Sequence, residues 1–380
     1  MEIYLVGGAV RDKLLGLPVK ERDWVVVGTT VDDMLAEGYK QVGKDFPVFL
    51  HPDSHEEYAL ARTERKSGHG YKGFLVHAEP DVTLEEDLKR RDLTVNAIAE
   101  SKNGDLIDPF NGQDDLNAGL LRHVSPAFAE DPVRILRVAR FAARFDKFGF
   151  HVAHKTNALM RQMVADGEVD YLVPERVWAE LEKALQTDRP HIFFKVLRGC
   201  GALEILFPEI DNEYSADNGT HDQQDDNAAL LALEQTTHYS PDPRVRFSTL
   251  LLSLASDSTS KQRQQIAASI CSRIKTPNEY RELAIRAIQL EHLANSSTAE
   301  QLSELLESSG AYRDIDRWEL LLDVFEFSQR IDKQQHELLN ELQRLTVKIC
   351  ASDITIEGLK GPEIGQAIRN KRLELIQNHL

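Results

Sequence analysis

The chain is poor in cysteine: Cys200, Cys271 and Cys350 are the only three in 380 residues. They stand far apart in no metal-ligand spacing, and their odd number fits a reducing compartment better than a disulfide framework. Long apolar runs are missing too. None approaches the roughly 20 residues that span a bilayer, and the chain opens on the strand-like Ile3-Tyr4-Leu5-Val6 rather than on a signal peptide. A cytoplasmic protein without a membrane partner is expected. Positive charge is also scarce. The formal net charge of −17 argues against a nucleic-acid partner, because phosphate binding ordinarily leaves a basic footprint.

That objection weakens when the charge is followed along the chain. Residues 201–260 hold eleven acidic side chains against two arginines, whereas arginine and lysine cluster between positions 62 and 144. A basic cleft on an acidic protein is compatible with this distribution. A composition of 42% hydrophobic and 28% charged residues is that of a globular chain, and 380 residues exceed what one core usually organises.

The first 110 residues alternate short β-rich runs with turns. Ile3–Val6, Trp24–Val27, Val48–His51, Tyr58–Thr63 and Leu93–Ala99 read as strands of a small mixed sheet, and Ala9–Leu15 reads as a helix. From Pro132 onward the pattern is helical, through 132–145, 174–186 and 192–199. It continues in 281–293, 299–307, 317–331 and a last helix from about Pro362. Residues 211–227 are polar, acidic and almost without apolar periodicity, so they read as a linker. The expected organisation is an α+β head over 1–120, a helical neck and body over 121–210, that linker, and a helical region over 228–380. No internal repeat is evident.

Four blocks carry chemistry. In Leu5-Val-Gly-Gly-Ala-Val-Arg-Asp12 a glycine pair falls where a strand gives way to a helix. There, backbone N–H groups can approach a phosphate, with Gly8 at the turn and Arg11 one turn on. Glu21 and Asp23, spaced by two ahead of Trp24-Val-Val-Val27, can point to one face of a strand and converge on hard cations. Two Mg²⁺ held this way suit an in-line displacement at phosphorus. Arg90-Arg-Asp-Leu-Thr-Val-Asn-Ala97 sets an arginine pair and Asn96 at what, taken alone, could be an ordinary strand entrance. In Glu130-Asp-Pro-Val-Arg-Ile-Leu-Arg-Val-Ala-Arg-Phe-Ala-Ala-Arg144, Pro132 suits a first helical turn and the acidic pair its positive end. At about 100° per residue, Arg134, Arg137, Arg140 and Arg144 share one stripe while apolar residues cover the rest. A merely solvated face would mix lysine and glutamate into such a stripe.

In this order the blocks resemble the signatures of the class II tRNA nucleotidyltransferase and bacterial poly(A) polymerase family, within the polymerase-β-like nucleotidyltransferases. GGAVRD and ERDWVV are similar to the first signature, with Glu21 where the family commonly has Asp, and RRDLTVNA to the second. EDPVR is similar to the nucleotide-selecting EDxxR block. The resemblance is strong over residues 1–210, weak afterwards, and returns faintly at Gly358–Gly365.

The resemblance implies a nucleotidyltransferase head followed by an all-α neck, body and tail. It further implies template-independent addition of CCA to the 3′ end of tRNA from CTP and ATP, with Mg²⁺ on Glu21 and Asp23. Gly8, Arg11, Arg91, Asn96, Arg137 and Arg140 become nucleotide contacts, and Asp131 with Arg134 reads the base. Glu57-Tyr-Ala-Leu-Ala-Arg-Thr63 resembles the strand with the third carboxylate, assigned to Glu57 with Glu64 nearby, and the Arg65–Gly73 segment resembles a loop that reshapes the pocket. Asp108-Pro-Phe-Asn-Gly112 reads as structural, Pro174–Lys183 as core packing, and no obligate protein partner is expected.

A poly(A) polymerase is the nearest alternative, but such enzymes usually carry a basic C-terminal tail, and none precedes Leu380. Partial CC- or A-adding activity and a non-catalytic tRNA-binding protein are the others. His221-Asp222 spells the dyad of an HD phosphohydrolase, yet it sits in polar sequence. The apolar segment Arg246–Leu254 offers no His or Asp, so a form lacking that domain and its hydrolase activity is expected.

Overall fold

A computed structural model of the chain describes residues 1–42, 47–66, 74–215, 227–353 and 360–380. The chain divides into two compact units, Met1–Leu206 and Phe207–Leu380.

The first unit begins with strands β1 (Glu2–Val6) and β2 (Asp23–Val27), separated by helix α1 (Gly8–Leu14). Helix α2 (Val31–Ala36) is followed by β3 (Lys40–Gln41), β4 (Val48–Leu50), β5 (Glu57–Leu60) and a hairpin of β6 (Thr63–Lys66) with β7 (Phe74–His77). Helix α3 (Leu84–Lys89), the short β8 (Ala99–Glu100) and β9 (Leu106–Ile107), and helix α4 (Gly112–Ala118) complete the head. Seven strands form one mixed sheet in the order β3-β4-β5-β2-β1-β8-β9. The β2–β5 pair is parallel and its neighbours antiparallel.

Central β2 reads as an unbroken apolar run because both faces of the sheet are covered. Val25 packs with Val6, Leu88 and Ala97, and Val26 on the opposite face packs with Met34, Phe49 and Leu60. Apart from a short parallel pair, Leu120–Leu121 with His151–Val152, the remainder of the unit is mainly helical: α5 (Val133–Phe145), α6 (His154–Ala165), α7 (Pro174–Leu185) and α8 (His191–Cys200), with α5 packed on α7 and α8.

Two strand expectations need correction. Leu93–Ala99 is not a strand: a 3-10 turn occupies Thr94–Asn96 and pairing resumes only at Ala99. The cause is local polar satisfaction, since the Thr94 hydroxyl donates to Asp115 (2.6 Å) and the Asn96 amide to Asp92 (3.0 Å). The run Tyr58–Thr63 divides between β5 and β6 at Ala61 and Arg62, where Arg62 N–H turns to the Asp87 carboxylate (3.3 Å). The short helices α2 and α3 lay beneath the sequence pattern, each nucleated by a capping box, Thr30 with Asp33 and Thr83 with Glu86.

The second unit is helical among its described residues, from Pro208–Ser215 to Gly361–His379. The expected linker at 211–227 is helical at its start. Asp211–Ser215 continue a helix, and the buried Asn227 caps the next one, accepting from Leu230 N–H and donating to the Ile210 carbonyl. His221-Asp222, residues 67–73 of the glycine-rich loop and Gly358 lie outside the described residues. No helix among the described residues is long and apolar enough to cross a membrane.

Candidate active site

The predicted blocks meet at one cleft of about 560 Å³ in the first unit. Gly7, Gly8 and Arg11 reach it from the β1–α1 turn, Glu21 and Asp23 from the approach to β2 and its first residue, Arg91 and Asn96 from the turn after α3, and Asp131, Arg134, Arg137 and Arg140 from α5 and its approach. Nine basic and four acidic side chains line it, so a local positive field exists on an acidic protein.

Gly7 rather than Gly8 is the strained position. Its φ of +71° favours glycine, and a Cβ there would lie 2.8 Å from Arg91 Nη1. Its N–H donates to the Ile98 carbonyl (3.2 Å), which ties the turn to the segment that carries Asn96.

Glu21 stands just ahead of β2 and Asp23 begins it. Among the described residues neither side chain has a hydrogen bond or an ion pair. Asp23 is solvent-accessible at the cleft but recessed in it. Partial desolvation raises its pKa above the usual value, Arg91 opposes the rise, Glu21 adds to it, and Arg137 opposes it.

Glu57 lies on β5 in parallel register with Asp23, and both line a smaller pocket of about 240 Å³ with Arg62, Arg90 and Arg91. It does not join Glu21 and Asp23 in one cluster. Among the described residues no group of three His, Cys, Asp or Glu side chains gathers as a metal site. The side chain of Glu64 lies outside the described residues.

Two aspartates missing from the predicted set organise the arginines. Asp87, 1% exposed, accepts from Arg90 Nη2 (2.9 Å) and Arg91 Nη2 (3.1 Å). Burial alone would raise its pKa, but the two guanidinium groups outweigh that and lower it. Asp92, buried at 5% exposure, accepts from Arg137 Nε (2.6 Å), Asn96 Nδ2 and its neighbour Leu93 N–H. Burial pushes it up, and Arg137, Asn96 and Arg134 together hold it well below the usual carboxylate range. Asp87, at i−3 and i−4 from the arginine pair, was the signal in sequence that could have found the first.

The arginine stripe of α5 is a set of anchored groups rather than a bare row. Arg137 pairs with Asp92, Arg140 with Glu180, and Arg144 with Asp12 (2.9 Å). Arg134 donates to the carbonyls of Ala127 (2.9 Å) and Arg90 (2.7 Å). Phe141 provides a ring face beneath the guanidinium of Arg140 (4.2 Å to the centroid) and of Arg11 (5.1 Å). Since Arg137 and Arg140 spend only Nε on their acids, their Nη groups have no protein acceptor among the described residues.

Arg11 is 2% exposed, bonded to Asp12 (2.7 Å) and to the Asn96 side-chain oxygen. Asn96 in turn donates to Asp92, so both stand in the cleft wall as parts of a network. Asp131 accepts from Val133 N–H (3.1 Å), as expected of a carboxylate at the start of α5, and from both Nη groups of Arg176. Helix α7, expected only to pack, therefore also faces the cleft, where Arg176 and Lys183 line it and Glu180 pairs with Arg140. The structural reading of Asp108 holds: it accepts from Gly112 N–H (2.7 Å) and Gln113 N–H (2.9 Å) and so caps α4.

A mixed sheet with paired carboxylates beside a glycine turn, opposite a helix of anchored arginines, defines a nucleotidyltransferase. The family described as "Poly A polymerase head domain" matches residues 3–122, and "Probable RNA and SrmB- binding site of polymerase A" matches residues 149–214. The chain is similar to the "Multifunctional CCA protein" of Thioalkalivibrio sulfidiphilus (strain HL-EbGR7), 50% identical over 408 aligned positions that cover 99% of this chain and 98% of the relative. A CCA-adding enzyme in its apo form II shares the fold with a TM-score of 0.70 at 21% identity, covering 99% of this chain and 88% of that one. A tRNA nucleotidyltransferase crystallised with a primer tRNA and an incoming ATP analog is similar at 25% identity and a TM-score of 0.60, covering 91% and 96%. This chain belongs to the CCA-adding tRNA nucleotidyltransferase family.

Proposed function

We propose that this cytoplasmic enzyme builds or repairs the 3′ CCA of tRNA through the cleft just described, taking CTP and ATP and releasing pyrophosphate. The observation that carries the assignment is the pair Glu21 and Asp23, two carboxylates without protein partners among the described residues in a cleft whose other two acids, Asp92 and Asp131, are both paired with arginines. Such oxygens suit a divalent cation, and Mg²⁺ is the assignment, since it is commonly held by one or two carboxylates together with substrate phosphates. When bound it lowers the barrier to displacement at phosphorus by neutralising charge on the attacking and leaving oxygens.

The protein's own groups do the rest. Arg91, Arg137 and Arg140 bind the triphosphate, with Gly8 leaving room for it at the start of α1, and Arg11 and Asn96 hold the wall against which it rests. Glu57, in register with Asp23 but on the smaller neighbouring pocket, is assigned as the third carboxylate, acting beside the pair rather than in one cluster with it. Asp131 and Arg134 read the base. Cytosine and adenine both present an amino donor beside a ring-nitrogen acceptor, whereas uracil and guanine present a carbonyl beside a ring N–H. An accepting carboxylate one helical turn from a donating guanidinium therefore complements the first pair and confronts the second.

The test is a gel. A tRNA ending at its discriminator base should gain two residues with CTP alone, three with CTP and ATP, and none with UTP or GTP. The Glu21→Ala, Asp23→Ala double variant should add nothing while still binding tRNA. Near-wild-type extension by it would remove the metal assignment.

A further inference from the structure

Asp131 is held by more than its own helix. Arg176 of α7 approaches it with both arms, 3.2 Å from Nη1 to Oδ1 and 2.8 Å from Nη2 to Oδ2, and Val133 N–H adds a third donor at Oδ1. A carboxylate offers about four lone-pair positions. Three are filled among the described residues, and the fourth lies on Oδ2. The pair is not sealed away: the side chains of Arg176 and Asp131 keep 30% and 19% of their exposure and both line the cleft.

We propose that Arg176 is a positioning residue for base choice. Its planar fork fixes the carboxylate plane, which a single-point contact cannot do. Asp131 is thereby left with one acceptor position, enough for one N–H of a cytosine or adenine amino group. Without the fork the carboxylate keeps only its contact to Val133 N–H and can turn, so that water fills the gap opposite a uracil or guanine carbonyl and the penalty for the wrong base shrinks. The inference rests on the reading that Asp131 meets the base.

Steady-state kinetics with CTP, ATP, UTP and GTP on tRNA lacking CCA tests it. In Arg176→Ala the ratio of kcat/KM for CTP over UTP should fall about tenfold or more, through higher kcat/KM for UTP together with higher KM for CTP rather than lower kcat for all four. General damage to the fold would lower every nucleotide alike and leave the ratio unchanged. Arg176→Lys, charged but unable to fork, should not restore the ratio. Placed on Asp131→Ala, the Arg176→Ala change should cost no further discrimination.

An unchanged ratio in Arg176→Ala, full rescue by lysine, or additive losses in the double variant would each overturn the proposal. Should the alanine variant fail to fold, Arg176→Gln, which keeps a polar stem but is two bonds too short to fork onto Asp131, carries the same expectation. If the wild-type protein shows no preference for CTP over UTP, the functional reading itself fails. If that preference is present and Asp131→Ala abolishes it while Arg176→Ala does not, only the role of Arg176 fails.

Discussion

Asp92 shows how acidic residues make an arginine-lined cleft possible. Its carboxylate sets the direction of Arg137 and holds the Asn96 amide, so the side of the cleft proposed to take the triphosphate is ordered before a ligand arrives. Its pKa is depressed in the folded protein, so its contribution to stability is complete above the unfolded carboxylate value of about 3.9 and is lost as pH falls below it. Asp87, also depressed, acts in the same sense. Asp92→Asn should cost about 2 kcal/mol at neutral pH, because a charged hydrogen bond is replaced by a neutral one beside a buried cation. The acid limb of the stability curve below pH 4 should become shallower. Thermal unfolding across a pH series checks both, and an unchanged acid limb would mean that Asp92 titrates as an exposed group. Sequence identified the arginines because guanidinium groups advertise phosphate binding. Asp92 stayed hidden because which of 62 acidic residues is buried against an arginine of another element depends on the packing of α5 beside the turn after α3, which no local pattern records, whereas Asp87 was marked only by its i−3 and i−4 spacing to Arg90 and Arg91.

Among the elements, those with strong periodicity were legible and those governed by side-chain capping were not. Helix α5 starts one residue after Pro132 and its apolar positions are buried as the stripe requires. The turn at Thr94–Asn96 looked like a strand because Leu, Thr and Val favour one, and tertiary hydrogen bonds to Asp115 and Asp92 overrode that preference. Gly112 shows how closely that turn is packed. A Cβ there would sit 2.3 Å from the Thr94 carbonyl oxygen and 2.8 Å from Ile98 Cγ1, so α4 and the turn touch backbone to backbone. Gly112→Ala should destabilise the protein by about 3 kcal/mol or more and reduce nucleotide addition, since the turn carrying Asn96 must shift. Gly104, with φ +87° and open space around its Cβ position, is the control. Gly104→Ala should cost about 1 kcal/mol and leave addition intact. Equal effects at the two sites in parallel denaturation and activity assays would contradict the close-approach argument.

At the scale of the whole molecule the difficulty raised by composition becomes a prediction. Both units are acidic, with 34 acidic against 27 basic side chains over 1–206 and 28 against 18 over 207–380, so the basic cleft is a local feature in a repelling field. Two ranges of electrostatics then oppose each other as a polyanion approaches. Repulsion by the net charge acts over distances beyond about 10 Å, the screening length at 0.1 M salt, and is removed first as salt is added. Attraction by cleft arginines acts at contact and persists longer. The association rate constant for tRNA should therefore change little, or rise, between about 10 and 150 mM KCl, unlike the steep decline typical of basic nucleic-acid-binding proteins. Affinity for CTP, whose phosphates are proposed to meet only the cleft, should fall steadily over the same range. Stopped-flow fluorescence with labelled tRNA and equilibrium titration with CTP separate the two. A steep fall in the tRNA association rate would place a larger basic surface on this protein than the cleft supplies, and a CTP affinity indifferent to salt would remove Arg137 and Arg140 from the phosphate contacts.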